Sequence, residues 1–166
     1  MVRIINFIIM FTCFSLFSCQ SILNVKDRLL KKIENFDRES IGNVVFNRLY
    51  VREGVYKTKK DFDIIFPKLE VSTNGFYYDY LYIQGNGKLS FFTSSSRLIK
   101  NIENKESFNA VINKEKNKII VYRLQVFHQI RGFDPSYGIY KQYLKVFGNK
   151  IYIQDGNDCS VYVLAE

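Results

Sequence analysis

Short strand-like runs separated by tight turns dominate the chain beyond residue 42. They are rich in β-branched and aromatic residues or alternate apolar with polar ones, and they predict strands at 44–51, 54–58, 61–66, 76–83, 89–93, 119–130, 139–147, 150–154 and 160–164. One turn, Asn86-Gly87, has the residues of a type I′ hairpin. Because parallel pairing needs a crossover of about a dozen residues, strands joined by such turns pair antiparallel.

About eight to ten antiparallel strands need their edges closed or covered. The sequence therefore predicts a mainly β fold, an antiparallel meander that forms either a barrel or a two-layer sandwich. The polar stretch 93–107 predicts no regular element, and no strand is predicted between residues 94 and 118.

A helical stripe comes before the predicted strands, over residues 21–36. Apolar side chains recur there at spacings of three and four, namely Ile22, Val25, Leu29, Ile33 and Phe36, and lysines and arginines fill the other face. We expect this amphipathic helix to pack its stripe on the β-rich domain. The alternatives are a basic helix lying on a membrane surface and an unstructured tether.

An apolar leader opens the chain. It has one positive charge near its start, Arg3, an apolar run over 4–16, and a small residue, Ser18, at its end. These are the three parts of an export signal. A membrane-spanning helix needs about 20 predominantly apolar residues, whereas apolarity here stops at Phe17.

The residues Leu16-Phe17-Ser18-Cys19, at the end of the leader, resemble the lipobox of bacterial lipoproteins. The resemblance implies that the leader is cut off before Cys19 and that the thiol of Cys19 receives a diacylglyceryl group. Gln20 follows the cysteine where an aspartate would signal inner-membrane retention, so the family rule implies the outer membrane. A plain secretory leader with an incidental Cys19 is the alternative.

This interpretation divides the chain into three parts. They are a lipoprotein signal peptide over 1–18, a lipidated tether with the amphipathic helix over 19–41, and a single β-rich domain over 42–166. The mature chain is long enough to bury a substantial hydrophobic core.

The closing strands resemble those of small bacterial lipocalin-like domains. The residues that carry the resemblance are Tyr137-Gly138-Ile139-Tyr140, the run 147–153 and Val161-Tyr162-Val163-Leu164, and Gly54-Val55-Tyr56 corresponds to the opening strand of that family. The resemblance implies a barrel that holds a small apolar or amphiphilic ligand.

The net charge of +8 at pH 7 narrows the class of partner. A basic exported protein meets anionic lipid headgroups, polyanionic glycans or acidic partners rather than nucleic acid. Lipidation of Cys19 leaves Cys159 as the single cysteine of the mature chain, because Cys13 departs with the leader. We therefore expect no internal disulfide, and we expect Cys159 to be buried and inert.

Catalytic residues are sparse, and we expect no enzyme, no cofactor and no metal site. His128 is the single histidine, and no serine lies in a nucleophile-elbow context that would make a Ser-His-Asp triad with it. One histidine and one cysteine do not supply a usual zinc ligand set. Asp155 and Asn157 have calcium-loop spacing, but Cys159 and Ser160 follow where further ligands and a glycine belong.

If the sheet encloses a cavity, we expect aromatic and apolar strand residues to line it. Tyrosines stack on apolar or sugar ligands and donate hydrogen bonds, although sheets also favour aromatics without any ligand. The candidate ligand-binding residues are Tyr77, Tyr80, Tyr82, Leu124, Val126 and His128.

Together these expectations describe a membrane-anchored lipoprotein of the cell envelope that acts as a small-ligand-binding β-barrel module. The alternative is a structural or interaction lipoprotein that docks on another envelope component through an exposed sheet face or a basic surface.

The leader generates the first testable prediction. Cells grown with labelled palmitate should incorporate the label into this protein, because acyl chains on the Cys19 thiol derive from membrane lipid, and the mature N-terminus should be Cys19. A purified product without label, or an N-terminus at another residue, would contradict the lipoprotein interpretation.

Overall fold

The computed structural model describes residues 22–59, 62, 77–95, 107–127 and 136–165. These residues form one α-helix, one 3₁₀ turn and eight strands. The helix α1 spans Ile22–Lys31 and the 3₁₀ turn spans Glu39–Ile41; the strands are β1 (Arg48–Lys57), β2 (Tyr78–Ile83), β3 (Lys88–Ser94), β4 (Ala110–Glu115), β5 (Lys118–Phe127), β6 (Ser136–Phe147), β7 (Lys150–Asp155) and β8 (Asp158–Leu164).

The eight strands form a closed barrel in which each strand pairs antiparallel with its neighbour in sequence. Closure comes from β1, which pairs with β2 on one side and with β8 on the other. The register between β1 and β8 shifts between Arg52 and Gly54, which indicates a bulge. The predicted antiparallel β meander is confirmed, and of its two predicted forms the structure has the barrel.

The barrel interior is an apolar core towards one end. Buried side chains from every strand contact one another there, and only the inside of a barrel brings all eight strands together. The strand members of this cluster are Tyr50, Leu81, Ile83, Leu89, Ala110, Ile112, Val121, Leu144, Ile151, Ile153 and Tyr162.

The chain before β1 caps this apolar end. Ile41, Val44 and Phe46 belong to the same buried cluster, and the ring of Phe36 meets that of Phe46 edge-on at 6.0 Å between centroids. The Tyr50 hydroxyl donates a hydrogen bond to the Val45 carbonyl at 2.9 Å and accepts one from the Val45 amide at 3.0 Å. Burial raises the pKa of Tyr50, so the hydroxyl stays protonated and holds the cap in place.

Helix α1 packs on the outside of the barrel. Val25 and Leu29 are fully buried, and Leu29 contacts Val111 of β4 and Tyr122 of β5. The apolar stripe is therefore covered by the domain, as the first of the three interpretations expected. The helix ends at Lys31 rather than continuing to 36, because Phe36 turns towards the capped end. No helix among the described residues is long and apolar enough to cross a membrane.

The strand boundaries differ from the predicted ones in several places. The predicted runs 44–51 and 54–58 form one strand, β1, which starts only at Arg48 and remains continuous through its bulge, and β6 starts at Ser136 rather than at residue 139. Strand β4 was not predicted, because its short run Ala110–Glu115 is half polar. The predicted strand 61–66 lies outside the described residues except for Phe62.

The predicted type I′ turn at Asn86-Gly87 is wrong. Only Gly87 of the two has a positive φ, +82°, whereas a type I′ turn needs positive φ at both central residues. The Gly87 amide instead donates to the Gln84 carbonyl at 3.1 Å. The hairpin between β2 and β3 is therefore a longer turn that closes on a left-handed glycine.

Alanine substitutions at two glycines test whether the Phe36 ring lies at the capped end of the barrel. Gly148→Ala should destabilise by about 1 kcal/mol, because φ is +58° but nothing lies within 4 Å of the added methyl. Gly87→Ala should lose at least about 1 kcal/mol more, because its methyl would stand 2.9 Å from ring atoms of Phe36. Urea unfolding of both variants measures the difference, and equal losses would contradict the placement of Phe36.

Candidate functional site

The barrel interior becomes polar towards its other end, where the connections 58–77, 95–109 and 128–135 join the strands. Strand register puts three charged side chains inside. Arg52 is the register partner of core residue Tyr162, Asp79 lies two residues before core residue Leu81, and Arg123 lies two residues after core residue Val121. Residues two apart on a strand share a face.

These side chains surround a small space that we call the polar recess. Its volume is about 150 Å³. Its interior-facing lining residues are Arg52, Asp79, Phe91, Thr93, Arg123, Ser160 and Tyr162.

One side of the polar recess is internally paired. The Arg52 guanidinium forms an ion pair with the Asp79 carboxylate, and both side chains are about three-quarters buried. The Thr93 hydroxyl donates a hydrogen bond to the other Asp79 oxygen at 2.6 Å. Both oxygens of the Asp79 carboxylate are thereby engaged within the recess, one by Arg52 and one by Thr93.

The other side of the polar recess holds the guanidinium of Arg123. The guanidinium of Arg123 stacks over the ring of Phe91 at 4.3 Å from the centroid and donates a hydrogen bond to the Tyr140 hydroxyl. None of the carboxylates in the described part of the chain forms an ion pair with Arg123. A half-buried guanidinium in this position attracts anions, because water screens it only partly.

A third polar group stands beside Arg123. The Tyr140 hydroxyl and the Gln142 Nε2 both donate hydrogen bonds to Asp155 Oδ2, at 3.2 and 3.3 Å. Gln142 is 5% exposed, and its Oε1 has no hydrogen-bond partner among the described residues.

Tyr162 lies between the two arginines. Burial raises its pKa to about 12, while Arg52, Arg123 and a hydrogen bond with Ser160 oppose that shift. The hydroxyl is therefore neutral at physiological pH and is able to donate a hydrogen bond. For Tyr140, burial also raises the pKa, and Arg123 acts against it.

The polar recess combines two guanidinium groups, one carboxylate and two hydroxyl groups beside the Tyr162 hydroxyl. Its tyrosines stay protonated, and its one lining carboxylate is engaged by Arg52 and Thr93. No group of three or more histidine, cysteine, aspartate or glutamate side chains suited to a metal ion occurs in the part of the chain that the structure describes.

The described candidate residues lie outside the polar recess, except Tyr80, which is part of its lining. Leu124 packs beneath α1 in the cluster with Leu29, and Val126, on the same outer face, is 56% exposed. Tyr80 and Tyr82 lie buried on the outer face of β2, where Tyr80 stacks on Phe92 at 5.5 Å.

The two remaining candidates are Tyr77 and His128. Tyr77 is 57% exposed, and His128 lies outside the described residues. Of the described candidates within strands, Tyr80 and Tyr82 lie on the outer face of β2 and Leu124 and Val126 on that of β5, so these two pairs are not brought together. A ligand-binding role for them stays a prediction.

The residues that do meet in the polar recess, above all Arg52, Arg123 and Tyr162, were missed. Ile120, Tyr122 and Leu124 of β5 pack with Leu29 of α1 on the outside of the barrel, and the odd-numbered residues of β5 point inwards. The signal that was available is the change along the odd face, from Ile119 and Val121 to Arg123 and Gln125. That change indicates an interior that is apolar at one end and polar at the other.

Cys159 is fully buried and makes no disulfide among the described residues. Burial raises the pKa of its thiol to about 11, so the nucleophilic thiolate is rare at neutral pH. The predicted burial of Cys159 is confirmed.

A larger open groove, which we call the outer groove, has a volume of about 770 Å³ and is lined by both core-facing and outward-facing residues of β5 and β6. Its lining includes Tyr143 and Lys145 of β6 and Lys118 of β5. The Lys118 ammonium lies over the ring of exposed Tyr143 at 5.2 Å from the centroid. This surface is basic and aromatic.

Comparison with known proteins adds no assignment. No protein-family model matches the chain, and no curated protein or solved structure matches it significantly.

The raised pKa of Tyr162 generates a pH prediction. Between pH 10 and 12 the Tyr162 hydroxyl keeps its proton in the folded protein, whereas the unfolded chain releases it. The contribution of this group to the free energy of unfolding is therefore fully present below pH 10 and is lost as the pH rises towards 12. Tyr162→Phe should remove this part of the loss, at most about 3 kcal/mol. Urea unfolding of both proteins at pH 10 and 12 measures it; identical losses would contradict the burial of the hydroxyl.

Proposed function

We propose that this chain is a lipid-anchored β-barrel module of the bacterial cell envelope that binds a small ligand at the polar end of the barrel. The observation that carries the proposal is the polar recess, where Arg52, Asp79 and Arg123 are held inside the sheet although burying charges is unfavourable. Charged groups in such positions are typical of a binding site. The module binds its ligand and does not convert it.

The proposed anchor is the lipid on Cys19. Helix α1 begins at Ile22, so the chain between the anchor and the helix spans at most about 11 Å. A barrel that carries α1 on its outer surface would then lie close to the membrane. Each buried methylene contributes about 0.8 kcal/mol, and two or more acyl chains hold such a protein firmly.

The packing of the interior favours an amphiphilic ligand over a wholly apolar one. At the capped end Phe46, Val44 and Ile41 occupy the space that a deep apolar ligand would need. The ligand therefore places a polar head in the polar recess and extends the rest of its structure outwards, towards the membrane side or the solvent.

A second candidate function rests on the outer groove. Tyr143 and Phe147 of β6 are 42% and 53% exposed, and Lys118 and Lys145 stand beside Tyr143. Aromatic and basic residues together are typical of protein interfaces. This surface would dock on an acidic envelope protein, as the interaction hypothesis expects.

Native mass spectrometry of the lipidated protein, extracted from its own membrane, tests ligand binding. We expect a co-purified small molecule or binding from a panel of fatty acids, lysolipids and sugars. A ligand at 100 times its Kd should add about 2.7 kcal/mol to the free energy of unfolding. A protein that carries and binds nothing, but cross-links to one envelope protein through Tyr143 or Lys145, would favour the second candidate.

A further inference from the structure

We propose that the ligand is an acid whose carboxylate or phosphate group lies in the polar recess against the guanidinium of Arg123. This inference rests on the proposed function, because it names the chemical class of the ligand that binds at the polar end.

The two arginines of the polar recess differ in their charge partners. Arg52 and Asp79 form a pair whose charges offset each other, whereas no described carboxylate pairs with Arg123. The lining of the polar recess therefore contains two guanidinium groups and one carboxylate, and the Asp155 carboxylate on the Arg123 side accepts its hydrogen bonds from Tyr140 and Gln142. A guanidinium presents a planar set of donors that fits the two oxygens of a carboxylate or a phosphate.

The orientation of Arg123 is fixed before a ligand arrives. Its guanidinium rests on the ring of Phe91 at 4.3 Å and is hydrogen-bonded to Tyr140, whose hydroxyl is itself bound to Asp155 at 3.2 Å. These contacts leave donors of the fork for an anion. An oriented group loses little conformational entropy on binding, which strengthens the interaction.

The size of the polar recess limits the acid. A volume of about 150 Å³ is about five times the share of one water molecule in the liquid. That space takes one acidic group with a short stem, and any chain attached to the group must leave through the polar end.

The test uses ligands that differ only in the head group. Octanoate, octyl phosphate and uncharged octanamide would be titrated into the lipidated full-length protein in detergent, with calorimetry or native mass spectrometry as the readout. We expect one of the acids to bind about 10- to 100-fold more tightly than octanamide, because a hydrogen bond to a charged group is the stronger kind. The two acids distinguish a carboxylate site from a phosphate site.

Variants locate the effect. Arg123→Gln should weaken binding of the acid about 10- to 100-fold, and Arg123→Lys, which keeps the charge but loses the fork, should weaken it less. Arg48→Gln is the matched control, because Arg48 is exposed at the start of β1 and should leave affinity unchanged. Asp79→Asn should tighten binding, because it leaves Arg52 without its carboxylate while its amide oxygen still accepts from Thr93.

Each outcome decides between the two claims. Binding of octanamide as tight as that of both octanoate and octyl phosphate would keep the ligand-binding function and overturn the acidic class. The same would follow if Arg123→Gln folds, as judged by circular dichroism, and binds the acid normally. If Arg123→Gln does not fold, a loss of affinity in Asp79→Asn would overturn the inference. If no head group binds to the wild type, the proposed function fails together with the inference.

Discussion

Pairing between the first and last strands is the interaction on which the rest of this structure depends. Strand β1 satisfies the backbone groups of β2 on one side and of β8 on the other, so the barrel has no open edge. Closure also creates an inside, and every second side chain of each strand must then fit there or be satisfied there. The bulge between Arg52 and Gly54 lies in this same seam, next to the point where Arg52 enters the polar recess.

The two ends of the interior meet this demand differently. At the capped end, apolar side chains from all eight strands fill the space, and the segment before β1 adds Val44 and Phe46. At the other end, charged and hydroxyl groups satisfy one another through the Arg52–Asp79 pair and the hydrogen bonds to Asp155. Among the residues that the structure describes, no carboxylate forms an ion pair with Arg123 there. A ligand that supplies an anion would complete this polar network, which links the binding proposal to the physics of the fold.

The sequence was sufficient for the antiparallel β meander, because strand periodicity and turn residues act locally, but it left the barrel and the two-layer sandwich open. Antiparallel pairing, the helix and most strand positions follow from such patterns, whereas β4 was missed since three of its six residues, from Asn113 onwards, are polar. The site was not predictable in the same way. On β5 the apolar face, with Leu124, lies under α1 and the mixed face, with Arg123, points inwards. An amphipathic helix packs on an apolar surface, so the apolar face of a strand can lie either under a helix or inside the barrel. Only the closed structure shows which position the apolar face of β5 takes.

The central claim is that the interior arginine, rather than the outer tyrosines, meets the ligand. Nuclear magnetic resonance of the arginine Nε–Hε groups and the tyrosine rings during an octanoate titration tests it most directly. The account predicts that the Arg123 signal shifts in proportion to bound ligand, that the Tyr162 ring follows, and that Arg48 does not change. Shifts confined to Tyr77, Tyr80 and Tyr82, with Arg123 unchanged, would contradict it.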